Sequence, residues 1–144
     1  MEHRDPLYER VRESFDKQGF LRLLGAKLEH IEKGCAVISC EKREEHLQQQ
    51  GLVHSGVVTT IGDVACGYTA LSMMPEGYEV LSVEFKVNML RPALADKMVA
   101  TGHIIKAGRK LIITEAEVVD DATGKMIAKM TATMIPNPVE PETT

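Results

Sequence analysis

The chain has 144 residues, of which 44% are hydrophobic and 26% charged, and its formal net charge at pH 7 is −4. That length suits one domain with a buried core and is short for two, and the composition is typical of a soluble globular protein. The acidic balance argues against a nucleic-acid-binding surface. Asp63 interrupts the longest apolar stretch, so no run of about 20 residues is available to span a membrane. Three cysteines without disulfide or CxxC spacing, and a charged N-terminus unlike a signal peptide, predict a cytoplasmic protein.

The first predicted element is an amphipathic helix over about residues 5–24. Asp5 can cap it, Pro6 suits its first position, and an apolar stripe follows along one face. Gly19 is expected to end or interrupt this helix. We expect it to pack on the outside of the fold.

A hairpin and a loop come next. The short β-rich runs 26–31 and 35–40 are separated by Glu32-Lys33-Gly34, which predicts a β-hairpin. Residues 41–50, EKREEHLQQQ, predict a solvated loop.

A long apolar helix is predicted over about residues 55–74, with Ser55 as its cap. Its apolar positions recur at spacings of three and four, as on a broad buried face. They are Val57, Val58, Ile61, Val64, Ala65, Tyr68 and Leu71. Asp63 is the one carboxylate in this run, about two turns inside the helix, where the helix dipole no longer favours an anion. It either faces solvent, or accepts hydrogen bonds from a neighbour, or takes part in chemistry.

Pro75-Glu76-Gly77 ends the helix, and four strands are predicted after it, over residues 78–90, 97–105, 111–119 and 125–135. The order predicts one α+β domain over residues 1–136, in which an antiparallel sheet curls around the central helix and the N-terminal helix is an addition. Residues 137–144 predict a disordered tail. Because one sheet cannot cover the helix and protect its own edges, we also expect a homodimer.

Four motifs in this order resemble those of the hotdog-fold acyl-CoA thioesterases, especially the phenylacetyl-CoA thioesterase-like branch. They are Q-x-x-G-x-x-H-S-G followed by six residues and Asp, then SVEFKVNMLRPA, KAGRKL and DDATGKMIAKMTATM. The resemblance covers roughly residues 20–136. It implies a hotdog fold and hydrolysis of an acyl-CoA thioester to a free acid and coenzyme A.

The resemblance also implies roles for the central helix. Asp63 would act as general base for water, or as nucleophile, at the thioester carbonyl. The Ser55 backbone N–H would polarise the thioester oxygen, which suits the general affinity of helix N-termini for a developing oxyanion. Gly56 would leave room for a close approach.

The resemblance also implies roles for the loop before that helix. Gln48 stands where many relatives have Asn, so the resemblance implies that it orients water or substrate, with Gln49 as the alternative. His54 either fixes the loop through hydrogen bonds or takes part in the chemistry.

The resemblance implies that several further residues bind the substrate. Arg91 could pair with a phosphate or a carboxylate, or remain solvated. A basic turn would hold the nucleotide part of coenzyme A, although such turns are often only solvated. It consists of Lys106, Gly108, Arg109 and Lys110. Val57 and Ile61 are expected to line the acyl pocket together with residues of a partner chain.

No metal or cofactor is expected, because the five histidines lack ligand spacing and coenzyme A is part of the substrate. The predicted partner is acyl-CoA, with neither nucleic acid nor membrane, and the sites lie at the interface of a homodimer that could pair into a homotetramer. Two alternatives remain: a non-catalytic acyl-CoA-binding or sensing module, and a same-fold acyl-thioester dehydratase or hydratase. The retained Asp63 favours the hydrolase.

Overall fold

One antiparallel sheet and three α-helices make up the described part of the chain. The computed structural model describes residues 5–139. The helices are α1 (Pro6–Asp16), α2 (Gly19–Leu24) and α3 (Ser55–Leu71), with a short 3-10 turn at Glu44–His46. The strands are β1 (Ala26–Glu32), β2 (Cys35–Glu41), β3 (Tyr78–Met89), β4 (Lys97–Ala107), β5 (Ile112–Asp120) and β6 (Met126–Pro138). They lie in the order β1-β2-β4-β5-β6-β3, and α3 packs against all six.

Helix α3 is the centre of the core because it is buried almost all round and built from small and β-branched residues. The helix and the sheet approach closely at Gly102 of β4, where a Cβ atom would lie only 2.6 Å from the Ala65 carbonyl oxygen. Thr69 Oγ1 accepts a hydrogen bond of 3.0 Å from the Ala36 N–H of β2. These contacts fix α3 against the middle of the sheet.

The N-terminal segment forms two helices instead of the single one expected over residues 5–24. Asp5 caps α1 as predicted, its side chain accepting from the Leu7 N–H at 3.0 Å. The helix is interrupted at Lys17 and Gln18, and α2 begins at Gly19. The break brings the Gln18 amide within 2.7 Å of the Tyr68 hydroxyl on α3, a tertiary contact that the helical periodicity does not reveal.

Arg10 joins α1 to the segment between α3 and β3. Its guanidinium donates hydrogen bonds of 2.8 Å to the carbonyl oxygens of Met74, Pro75 and Tyr78. Helix α3 has already ended at Leu71, three residues before the predicted end at 74, and the chain then turns. Arg10 therefore holds the turn that leads into β3.

The four strands that follow α3 do not lie in the sheet in their chain order. Strands β4, β5 and β6 follow one another as neighbours, whereas β3, which precedes them in the chain, crosses to the far edge and pairs with β6. Strand β6 also runs to Pro138, which pairs with Tyr78, so residues 137 and 138 belong to the sheet and not to the predicted tail. The rest of that predicted tail, from residue 140, lies outside the described residues. Within residues 5–139, no helix is long and apolar enough to cross a membrane.

Strand β3 leaves apolar surface uncovered at the edge of the sheet. Phe85 and Met89 stand opposite Ala132 and Ala128 of β6, both of which are buried in the core. Phe85 and Met89 themselves remain 47% and 42% exposed. Leu81 and Val83 add to the exposed apolar surface of the strand.

Candidate active site

The N-terminus of α3 is capped by His54, so the cap lies one residue before the predicted Ser55. His54 Nδ1 accepts a hydrogen bond of 2.8 Å from the Gly56 N–H, and the His54 carbonyl accepts one of 3.0 Å from the Val57 N–H. This arrangement supports the structural role considered for His54, since the Nδ1 lone pair is engaged. The Ser55 N–H finds no acceptor among residues 5–139, as is usual in a first helical turn.

Gln48 closes the loop that precedes this helix. Its side-chain oxygen accepts from the Gln50 N–H and, at 3.3 Å, from the Leu52 N–H, while its backbone N–H donates to the Leu52 carbonyl at 2.8 Å. Gln49 is exposed beside it. In the single chain the Gln48 amide therefore shapes the loop, and its role toward water or substrate stays a prediction.

A cleft of about 480 Å³ separates this loop from the end of β3. The helix start and the loop supply one wall, with Gln48, Gln49, His54 and Ser55. The segment after β3 supplies the other wall, including Arg91, whose guanidinium donates to the Met126 carbonyl at 2.8 Å. The cleft thus combines a free helix N–H with an exposed cation.

Asp63 lies on the side of α3 that faces β3. Its carboxylate is half-buried and accepts a hydrogen bond of 2.8 Å from Ser82 Oγ. Burial raises the pKa of Asp63 above its usual value, and the Ser82 hydrogen bond lowers it by a smaller amount. An ionised carboxylate that is poorly solvated is a stronger base than one in water. Ser82 is not among the residues predicted from the sequence, where its one signal is its place in the strand motif SVEFKVNML.

Asp63 and Ser55 face different cavities in the single chain. Asp63 lies eight residues after Ser55, or about 12 Å along the helix at about 1.5 Å per residue. It lines a cavity of about 290 Å³ between α1, α3 and β3, to which Ser55 does not contribute. One chain therefore does not bring the predicted carboxylate and the predicted N–H donor together.

The basic turn lies at the other end of α3. Its four predicted residues, Lys106, Gly108, Arg109 and Lys110, are exposed where β4 leads into β5. Gly108 and Arg109 line a third cavity of about 400 Å³, together with Met74 and with Tyr78 at the start of β3. Helix α3 has 17 residues, which places this turn about 25 Å from the N-terminus of the same helix.

The remaining candidates are core residues. Val57 and Ile61 are buried in the hydrophobic core, and neither lines any of the three cavities described above. Cys66 is fully buried on α3, and burial raises the pKa of its thiol to about 12, which leaves little thiolate to act as a nucleophile. Over the described residues, no group of three or more His, Cys, Asp or Glu is placed to hold a metal ion.

Comparison with known proteins gives concordant matches. The family model described as the thioesterase superfamily matches residues 50–127. Human acyl-coenzyme A thioesterase 13 is 30% identical over 126 residues, covering 85% of this chain and 89% of the human protein. The medium/long-chain acyl-CoA thioesterase YigI of Escherichia coli is 26% identical, covering 79% of this chain and 83% of its own. The crystal structure of a thioesterase family protein from Silicibacter pomeroyi has 36% identity and a TM-score of 0.88, covering 92% of this chain and 98% of that one.

Proposed function

The chain belongs to the thioesterase superfamily, and on that premise we propose that it hydrolyses acyl-CoA thioesters at a site shared by two copies of the chain. Family membership confirms the hotdog fold predicted from the sequence and makes the chain a thioester hydrolase. One observation carries the finer proposal. Asp63, a half-buried carboxylate with a raised pKa, lies in a cavity apart from the free N–H of Ser55. Two chains can bring the Asp63 carboxylate of one chain together with the Ser55 N–H of the other.

The position of β3 supports a homodimer. This strand begins at Tyr78, on the cavity of the basic turn, and ends at Met89, on the cleft beside Ser55. If two β3 edges pair antiparallel, the Tyr78 end of one chain meets the Met89 end of the other. That pairing would bring the cleft of one chain toward the Asp63 and the basic turn of its partner. It would also cover the exposed Phe85 and the unpaired edge.

The chemistry then needs few groups. The thioester oxygen accepts a hydrogen bond from the Ser55 N–H, which stabilises the negative charge that develops there. Asp63 of the partner copy removes a proton from an attacking water, and a C–O bond forms. The C–S bond then breaks, and the proton held by Asp63 passes to the departing sulfur, which leaves as the thiol of coenzyme A. Direct attack by the Asp63 carboxylate, followed by hydrolysis of the anhydride, uses the same groups. Arg91 and the partner's basic turn supply cations for the phosphates of coenzyme A.

The decisive experiment follows thiol release over a panel of acyl-CoA esters, with wild type, Asp63→Asn and Asp96→Asn in parallel. Asp96 is a matched control, because its side chain is 95% exposed and pairs only with Lys42 on the surface. We expect Asp63→Asn to lower kcat/KM by about 10²-fold or more, the scale for loss of a general base. Asp96→Asn should leave it unchanged.

Thermal unfolding of the same variants separates lost chemistry from lost folding. The pKa of Asp63 is raised in the folded state, so Asp63 contributes stability only at low pH and loses that contribution as pH rises through the folded pKa. Asp63→Asn should therefore raise Tm at neutral pH while activity falls. Cleavage that survives in Asp63→Asn would show that another group is the base. Binding of acyl-CoA without cleavage by wild type would favour the sensing module.

A further inference from the structure

His46 is a buried histidine that the proposed reaction does not use. It ends the 3-10 turn of Glu44–His46, and only 4% of it is exposed. It does not line the cleft beside Ser55, so its ring does not reach a substrate bound there. A polar side chain is costly to bury unless its hydrogen bonds are made. The partners of His46 therefore indicate what it does.

Both ring nitrogens of His46 have a partner. Nδ1 accepts a hydrogen bond of 3.1 Å from the Arg43 N–H, which closes the 3-10 turn. Nε2 lies 2.9 Å from the carbonyl oxygen of Leu24, the last residue of α2. A carbonyl oxygen can only accept, so Nε2 carries the proton and donates it to this hydrogen bond. The ring thus joins the turn to the end of α2 in one defined tautomer.

A second contact joins the same two parts of the chain. The Arg43 guanidinium donates to the Leu23 carbonyl at 3.1 Å. The carbonyls of Leu23 and Leu24 belong to the last turn of α2, where a helix leaves its carbonyl oxygens without helical partners. The guanidinium also packs on Gly25, whose φ is +77° and where a Cβ atom would overlap it. The end of α2 is therefore fixed to the turn that ends at His46.

The backbone of His46 continues this connection to the start of α3. Its carbonyl oxygen accepts a hydrogen bond of 2.8 Å from the His54 N–H. Between these two residues, Leu47 pairs with Val53 in an antiparallel bridge. Residues 46–54 therefore form a closed loop, and a shift at its first residue is transmitted to its last.

His54 in turn sets the direction of the Ser55 N–H. His54 is the N-cap of α3, with φ of −58° and ψ of 138°, and its Nδ1 caps the helix. The ψ angle of His54 orients the peptide plane that carries the Ser55 N–H. An N–H that stabilises a developing oxyanion must point at that oxygen within a narrow range of distance and angle. The contacts of His46 therefore extend to the group that would stabilise the transition state.

We propose that His46 is a positioning residue: by joining the end of α2 to the start of α3, it holds the Ser55 N–H in the direction that stabilises the oxyanion. The proposal rests on the thioester hydrolysis proposed above. It gives α2 a part in catalysis, although no residue of this helix lines the cleft.

Three replacements of His46 separate its two hydrogen bonds. The Asn amide ends as far from the backbone as Nδ1 and the Gln amide as far as Nε2, so Asn can accept from Arg43 and Gln can donate to Leu24. Phe fills the space of the ring and makes neither bond. We measure thiol release from the acyl-CoA ester that wild type cleaves fastest.

The expected effect of these replacements is on kcat. His46→Phe should lower kcat about tenfold or more and change KM less than about twofold, because an oxyanion donor acts mainly in the transition state. His46→Gln should recover most of that loss and His46→Asn less, because only Gln keeps the bond to α2. A kcat for His46→Asn equal to or above that for His46→Gln would overturn the proposal, whether or not His46→Phe folds.

Ile31→Ala is the control for lost stability. Ile31 is buried on β1 and pairs with Ala36, at the far end of the β1-β2 hairpin from the loop. Removing its side chain should lower Tm, as a cavity in a core does, and leave kcat unchanged. If Ile31→Ala lowers kcat as much as His46→Phe at a temperature where both are folded, the loss reflects stability and the positioning role is wrong.

Amide hydrogen exchange separates this proposal from the proposed function, because it needs no turnover. The N–H groups of His54 and Val57 are hydrogen-bonded at the start of α3. In His46→Asn they should exchange about fivefold faster than in wild type, the effect of one lost hydrogen bond, and in His46→Gln as in wild type. Faster exchange in His46→Asn when wild type cleaves no ester would refute hydrolysis and leave the link from α2 to α3 standing. Cleavage by wild type with unchanged exchange in His46→Asn would refute the link and leave hydrolysis standing.

Discussion

At the scale of single residues, the proposed reaction depends on the protonation of Asp63. Burial between α3 and β3 raises its pKa, and the hydroxyl of Ser82 opposes that rise by donating to the ionised form. The pKa of Asp63 therefore depends on its burial, which has the larger effect, and on one hydrogen bond from a neighbouring strand. Ser82 is a positioning residue in this scheme, since it acts on substrate only through Asp63.

Replacing Ser82 should change the pH profile of the enzyme. Ser82→Ala removes a hydrogen bond to the carboxylate, so the pKa of Asp63 rises further and the acidic limb of kcat/KM moves to higher pH. At neutral pH we expect a loss of about three- to tenfold, recovered at alkaline pH. Thr131→Val, an exposed position on β6, is the matched control. An acidic limb that does not move in Ser82→Ala would show that another group titrates in the profile.

The residues of the site differ in how well sequence alone could predict them. Ser55, Gly56 and Asp63 belong to one contiguous motif, so their order on a helix could be deduced directly. Ser82 is 19 residues beyond Asp63 and meets it only because β3 folds back along α3. His54 was ambiguous because a histidine at a helix start can cap or catalyse; its Nδ1 caps α3 in the structure, and a chemical role for the ring stays a prediction.

At the scale of elements, α1 stabilises the segment that carries β3. Arg10 donates hydrogen bonds to three carbonyl oxygens between the end of α3 and the start of β3. These oxygens have no helical partner, and charge-assisted hydrogen bonds are among the stronger ones. The position of β3, and with it that of Ser82, depends on this contact between elements far apart in the chain.

Two arginines of α1 allow a controlled comparison. Arg10→Ala should lower the free energy of unfolding by about 2 kcal/mol, because it leaves the three oxygens partly unpaired. Arg12, which makes only an i,i+4 ion pair with Asp16 at 3.3 Å, should contribute at most about 0.5 kcal/mol. Urea denaturation of Arg10→Ala and Arg12→Ala measures both values. Equal midpoints in the two variants would mean that the Arg10 contact contributes nothing specific.

Local sequence patterns predicted the existence of most elements but not their arrangement. Each strand was found to within about three residues of its ends, because alternation and turn residues are local signals. The place of β3 depends on its pairing with β6, where Ser82 meets Met134 across 52 residues of chain. The break between α1 and α2 depends on the contact of Gln18 with Tyr68, 50 residues away. No pattern within either segment encodes such contacts.

At the scale of the whole molecule, the single chain leaves the apolar side chains of the edge strand β3 exposed. An exposed strand edge with large apolar side chains invites association, and proteins that remain monomeric usually protect such edges with charges. The proposed pairing through β3 would bury Phe85 and Met89 while completing two equivalent sites.

A charge on that edge should separate the subunits. Phe85→Lys should convert a dimer to a monomer in light scattering and lower kcat/KM about tenfold or more, since neither monomer retains a complete site. Phe20→Lys is the matched control, because Phe20 is a similarly exposed phenylalanine, at 57%, on α2. It should leave the dimer and its activity unchanged. A monomeric wild type with full activity would contradict the shared site.

The placement of Ser55 and Asp63 in separate cavities has a genetic consequence. In the proposed dimer each site contains the Ser55 N–H of one chain and the Asp63 carboxylate of the other. A homodimer of chains without Asp63, or of chains with a damaged α3 N-terminus, therefore has no complete site and is inactive. A mixed dimer of the two joins both defects in one site and leaves the other site intact. Two alleles that are null on their own are therefore expected to complement each other in the same cell.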